Sequence, residues 1–252
     1  MICKDIELDK VFIKKKTLKH KLVITGQNKS SVEISCGGLI IHRHDIATSH
    51  EKADNIIVQQ AIRVAVDEWK PVTVLADHTD VYILLLYHYL EQGFNTQTVM
   101  ESPIKERTVT DIQATVQKHK EIIPSMLPAH SLTGCDTVAA CFGIDKGTML
   151  KVLKNGIPLH LLGNVDAPLL DVLEESTKFM AACYGQSKSM AKSMSEVMLN
   201  VWITRTGKRS LTSAPKIYVP CHQQQRHLQK ILNVHICRHA FGKMPCNSIL
   251  NY

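Results

Sequence analysis

No run of apolar residues in the 252-residue chain is long enough to cross a bilayer. The longest, Val81 to Leu90, is interrupted by Tyr82, Tyr87, His88 and Tyr89, and falls short of the roughly 20 residues a spanning helix needs. The start of the chain, Met1-Ile2-Cys3-Lys4-Asp5, lacks the clean apolar stretch of a secretory signal. The eight cysteines (Cys3, Cys36, Cys135, Cys141, Cys183, Cys221, Cys237 and Cys246) form no compact, evenly spaced framework. They read as reduced thiols, which predicts a nuclear or cytoplasmic protein with no membrane partner. Internal repeats and low-complexity segments are also missing, which sets aside solenoids and propellers. The Cys/His-rich end (Cys221, His222, His227, His235, Cys237, His239, Cys246) has no two ligand pairs at finger spacing, so it does not predict a zinc finger. Gly143 to Thr148 lacks the Gly-Lys-Ser/Thr ending of a phosphate loop, which argues against nucleotide hydrolysis.

What is present is ordinary globular composition, with 44% hydrophobic and 21% charged residues. Thirty Lys and Arg against 23 Asp and Glu leave a formal charge of +7, which is compatible with a polyanionic partner such as DNA or RNA. The run Lys14-Lys15-Lys16 with Lys19 and Lys21 reads as a solvated segment, or as one serving nuclear import or phosphate contact.

Leu22-Val23-Ile24-Thr25 predicts a short strand and Val32 to Ser35 another. Thr48-Ser49-His50-Glu51 has the form of a capping box. The helix it opens places Ala53, Ile57, Ala61 and Val64–Ala65 on one face. After Trp69-Lys70-Pro71, residues Val72 to Ala76 read as a buried strand, and an aspartate of Asp77-His78-Thr79-Asp80 can cap a helix running through Tyr89. Residues 92–110 read as polar loop, 111–120 as helix, and Pro124 and Pro128 bracket the approach to Ser131. Helices are expected over 148–153, 169–184, 190–202 and 222–234, with a polar joint at 204–213. Helix, buried strand and helix in succession is the grammar of an α/β layered sheet. The expected division is an α/β domain over 1–145 and a helical extension over 146–252.

Carboxylates gather where such a sheet opens. Glu51 and Asp54 are three apart on the first turn of a helix and share a face. Asp77 and Asp80 follow the carboxyl end of a strand, where open α/β sheets place their ligand crevice. Asp136 follows Gly134-Cys135, a turn whose glycine permits close backbone approach. Carboxylates brought together repel unless a hard cation neutralises them, and Mg²⁺ or Mn²⁺ suits oxygen ligands. Each residue also has a plainer reading, as a cap for Glu51, Asp77 and Asp80 and as a turn former for Asp136.

His130-Ser131-Leu132-Thr133-Gly134-Cys135-Asp136-Thr137, followed by Phe142-Gly143 and Lys146, resembles the L-x-G-C-D-[YT]…G-x-G-x-K segment of flap-endonuclease and PIN-like nucleases. Ser49-His50-Glu51-Lys52-Ala53-Asp54-Asn55 and Asp77-His78-Thr79-Asp80-Val81 are similar to two further blocks. The set looks closest to a poorly characterised, mobile-element-associated group of PIN-like proteins. The resemblance covers about residues 20 to 150, with a weaker likeness in the helical tail. It implies a three-layer PIN-like sheet flanked by helices and a metal-dependent phosphodiesterase acting on DNA or RNA. Asp54, Asp80 and Asp136 would hold Mg²⁺ or Mn²⁺, Glu51 and Asp77 would assist catalysis, and Lys146, Lys151 and Lys154 would contact phosphate.

The departures from that pattern predict impaired catalysis. Lys52 stands where the family has a carboxylate, and His78 stands for the first acid of D-x-D. An ammonium in place of a ligand is a swing of two charges, worth several kcal/mol at an effective ε of about 20. His78 retains the capacity to ligate Mn²⁺ or Zn²⁺. Asp145 stands where the family's phosphate-gripping turn has glycine, which should weaken anion binding. The first strand, which carries a further Asp in those nucleases, has no obvious counterpart and is expected to be missing. The alternatives are a non-catalytic nucleic-acid-binding or interaction module, and a truncated relic. His130 precedes the Gly134-Cys135-Asp136 turn, where it reads as a structural histidine or as one that touches the site.

Overall fold

The computed structural model describes residues 22–24, 31–35, 39–44, 53–67, 69–93, 95–104, 108–135, 140–141, 143–187 and 193–206. Glu51, Lys52, Asp136, the capping box at Thr48 and the expected 222–234 helix lie outside them. By its contacts the chain divides into two compact units, Met1–Ile56 and Ile57–Tyr252. The fold is mixed α/β, with two three-stranded sheets among the described residues.

The first unit holds an antiparallel meander of β1 (Leu22–Ile24), β2 (Ser31–Ile34) and β3 (Ile40–Arg43), in that order. Leu22 faces Ile34, and Ser31 faces Arg43. Glu33 is buried on the central strand, and the Arg43 guanidinium donates to it across the diagonal. The first two strands lie where the apolar alternation predicts them, while β3 was not expected.

In the second unit, α1 (Ala53–Asp67) precedes β4 (Val72–Leu75), α2 (Thr79–Gln92), β5 (Thr98–Glu101) and β6 (Val109–Asp111). The sheet order is β4-β5-β6; β4 and β5 are parallel and joined through α2, and β6 is antiparallel to β5. The stripe α1 buries is Val58, Ala61 and Ala65, whereas Val64, expected on it, is 37% exposed. Trp69, in the left-handed region at φ 51°, and Pro71 follow the helix and turn the chain into β4.

The longest apolar run of the chain is α2. Val81, Ile83, Leu84, Leu85, Leu86 and Tyr89 are all buried, because the two helices over Ile112–His119 and Ile123–Thr133 pack against this helix. Gly93 ends it in the left-handed conformation. The Tyr89 hydroxyl donates to the Thr96 carbonyl at 2.7 Å, and the Thr96 hydroxyl donates to the Ala65 carbonyl at 2.8 Å, tying α1 to the approach of β5.

Residues 98–101 and 109–110, read as loop, and Asp111, read as the start of a helix, are in strands; Thr98 and Met100 alternate inward, a period too short to detect among polar neighbours. Asp111 closes β6 and caps α3 (Ile112–His119), its carboxylate accepting the Ala114 N–H at 2.8 Å. The Pro124–Pro128 segment is helical, as α4 (Ile123–Thr133). Proline inside a helix costs about 3 kcal/mol. Complete burial of Ile123, Ala129 and Leu132 offsets that cost, since burying each large apolar side chain contributes roughly 2 kcal/mol. The chain continues into α5 (Lys146–Lys154), α6 (Leu169–Cys183) and α7 (Met194–Thr206), with α5 on α4, α6 on α5 and α7 on α6. No described helix is long and apolar enough to cross a membrane.

Candidate metal centre

β4 runs into the second unit's core through Val74 and delivers Ala76-Asp77-His78 to the start of α2. His78, not an aspartate, takes the N-cap position, and its side chain makes no cap hydrogen bond. Asp80 follows in the first turn, only 5% exposed. Asp54 stands on the first turn of α1. The division between units falls inside this helix, whose later turns belong to the second unit. One ligand atom from each of Asp54, His78 and Asp80 lies within 4.8 Å of the other two, a group that could hold a metal ion. Two carboxylates and an imidazole form a mixed oxygen and nitrogen donor set with a charge of about −2 when the ring is neutral, suited to one divalent cation.

Behind Asp80 the side chains are buried. His130, on the last turns of α4 and 2% exposed, sits with Nε2 2.6 Å from Asp80 Oδ1. An ionised carboxylate only accepts, so Nε2 carries the hydrogen. The His130 carbonyl accepts from the Lys146 ammonium at 3.3 Å, which also donates to the Thr133 hydroxyl at 3.2 Å and to the Gly134 carbonyl. Burial pushes the Lys146 amine below its ordinary value, partly opposed by Cys135, Asp80 and Cys141 nearby. Burial raises the Cys141 thiol to about 11 and the Cys183 thiol to about 12, which keeps both protonated and unreactive at neutral pH.

Gly134 supports this corner. Its φ of 115° and its approach to Ala140, whose Cα lies 2.4 Å from where a Cβ would stand, both require glycine. Close approach here was the expectation from the sequence.

Asp54 and Asp80, two of the three expected metal ligands, therefore come together, and His78 completes the group. Asp136 lies outside the described residues, as does Glu51, and Asp77 is exposed one residue before the cap. Of the basic residues expected on phosphate, Lys146 spends its three donors on the end of α4. Lys151 and Lys154 are exposed in the last turn of α5, where cations complement the helix dipole. Asp145 caps α5 by accepting the Thr148 N–H at 2.6 Å, so a fixed negative charge occupies that helix start.

A second polar cluster carried no sequence signal because its members are 35 and 15 residues apart. Ser125 Oγ lies 3.1 Å from His160 Nδ1 and accepts the Leu159 N–H at 3.2 Å. The two oxygens of Glu175 accept the N–H groups of His160 and Leu161 at 3.0 and 2.7 Å. Glu175 thus holds backbone rather than the imidazole, and the cluster clamps the 157–161 segment to α4 and α6.

Comparison with family models, with curated proteins and with solved structures gives no match.

Proposed function

We propose that the protein binds one divalent cation at Asp54, His78 and Asp80, and that the centre descends from a PIN-like, metal-dependent phosphodiesterase with impaired catalysis. The observation that carries this reading is the convergence of three ligand atoms from two separate chain segments. The donor chemistry fits Mn²⁺ better than Mg²⁺, because an imidazole replaces one of the hard oxygen ligands Mg²⁺ prefers. A cation bound there would polarise a phosphoryl oxygen and acidify a coordinated water. Asp54 and Asp80 would supply the charge that retains it, and Asp77, exposed beside them, would face the substrate side. The three-layer sheet and the roles of Glu51 and Asp136 belong to the same proposal and rest on the sequence resemblance.

Nucleic-acid gripping by the start of α5 is disfavoured, since Asp145 and the internal bonds of Lys146 occupy the groups that would meet a phosphate. That observation favours impaired catalysis over full nuclease activity.

The test is titration of the purified chain with Mn²⁺ and Mg²⁺, followed by calorimetry and by thermal unfolding. It is paired with incubation on flapped and single-stranded DNA and RNA. At a Mn²⁺ concentration 100 times its Kd, linkage adds about 2.7 kcal/mol of stability. The double variant Asp54→Ala/Asp80→Ala should lose this increment together with any cleavage. Equal Mn²⁺ stabilisation of wild type and double variant would sink the reading.

A further inference from the structure

We infer that His130 is the positioning residue of this centre: its Nε2–H fixes the plane of the Asp80 carboxylate so that the group meets Asp54 and His78 in a metal-binding arrangement. The inference rests on the cation-binding reading above and assigns a role to a residue outside the ligand set.

Geometry is the first support. His130 Nε2 and Asp80 Oδ1 are 2.6 Å apart, with the two residues 2% and 5% exposed, so water does not compete for the bond. A carboxylate held at one oxygen cannot spin freely about its last torsion. Carboxylates that bind metals are commonly oriented in this way by a partner behind them.

The cost of the arrangement is the second. Burying an aspartate and a histidine together is seldom the stable choice, and apolar residues of similar size often do as well or better. The other ring nitrogen of His130, Nδ1, is buried and makes no hydrogen bond among the described residues. A histidine selected only for packing would give way to leucine at a site whose neighbours include the fully buried Ala129 and Leu132. The polar pair makes sense where Asp80 must stay ionised and aimed.

The third support is anchoring. The His130 backbone is itself held, its carbonyl accepting from Lys146, which also bonds Thr133 and Gly134. The end of α4, and with it the imidazole, is therefore fixed to the start of α5. Precision in the ring transfers to the carboxylate.

The experiment compares wild type, His130→Leu, His130→Gln and His130→Asn in the full chain, measuring Mn²⁺ affinity by calorimetry and electron paramagnetic resonance, with thermal unfolding alongside. Leucine keeps the volume and removes the donor. It should lower Mn²⁺ affinity by about 10- to 100-fold while the unfolding temperature is held or raised. Glutamine, whose amide nitrogen reaches the position of Nε2, should restore affinity to within a few-fold, and the shorter asparagine should not. Wild-type binding that leucine leaves within twofold overturns the positioning role alone. If the leucine variant does not fold, equal affinity of the glutamine and asparagine variants overturns it. Absence of Mn²⁺ binding by the wild type overturns the centre, and the role of His130 with it.

Discussion

Replacing Gly134 with alanine tests the geometry on which the end of α4 depends. The residue has φ 115°, a region that side chains with a Cβ rarely enter, and holding a residue there costs about 1–3 kcal/mol. The added carbon would stand 2.4 Å from Ala140 Cα and 2.8 Å from Ala140 N, both backbone atoms that no rotamer change can move. Relieving that contact requires the two chain segments to part, and overpacking of this kind costs a further 1–3 kcal/mol or so. The segments are held by the Cys141 N–H donating to the Thr133 carbonyl at 3.1 Å, which would lengthen. The total is roughly 4 kcal/mol, and at 2–4 °C per kcal/mol for a domain of this size the midpoint should fall by about 8–16 °C. Urea unfolding followed by circular dichroism measures it, with an unchanged m-value showing that stability and not compactness has changed. Because Lys146 bonds the Gly134 carbonyl, the loss should be accompanied by loosening of the α5 start, visible as faster hydrogen exchange at the Thr148 amide. A variant within about 0.5 kcal/mol of wild type would refute the close approach and the support it gives to His130.

Two further outcomes follow from residues outside the metal centre. Glu175→Ala removes the acceptor of the His160 and Leu161 N–H groups and should cost about 2–4 kcal/mol, below the roughly 3–6 kcal/mol of two full hydrogen bonds to a charged group because the His160 bond is exposed. Urea midpoints check it, and a change below 0.5 kcal/mol would show that the 157–161 segment is held by its apolar contacts alone. Asp145→Asn isolates the charge of the α5 cap. The carboxyl is held below its ordinary value of 3.8 by its hydrogen bonds with Thr148. A depressed folded-state value means the stabilisation is complete above the ordinary value and lost as pH falls through the folded one. The wild type should therefore exceed the asparagine variant in stability at pH 6 and converge on it in strong acid. A gap independent of pH would assign the effect to cap geometry instead of charge.

Legibility in the sequence follows how local each signal is. The apolar run of α2 and the strand before it are local, and both were readable. So was the glycine at 134, because a turn needing close approach leaves few other choices. Strands β5 and β6 were not, since three or four residues of alternation vanish among polar neighbours and only the pairing of β5 with β4 and of β6 with β5 reveals them. The helix around Pro124 and Pro128 was missed for the opposite reason. Local propensity opposes it, and burial of Ile123, Ala129 and Leu132 against the core prevails. In the site, Asp54 could be anticipated from its place on the first turn of a helix and Asp80 from its place after a strand end. The contact of His130 with Asp80 spans 50 residues, a separation at which no local pattern pairs two side chains.

His78 changes what the centre can be. With a carboxylate in its place the ligand set would carry one more negative charge, enough with further acids to hold two cations. With imidazole the charge is about −2 if the ring is neutral, which one divalent ion balances. Asp80 then carries an unusual share of the work, because it is the ligand removed most fully from water. One of its oxygens accepts from the His130 Nε2–H, and the Lys146 ammonium acts on it at longer range. A carboxylate so placed is poorly explained by stability, since an apolar residue would serve packing better at the buried start of a helix as apolar as α2. It is well explained as a ligand whose orientation is set from behind. The overall charge of +7 therefore says less about function than the position of this one negative group, which the fold buries and then braces.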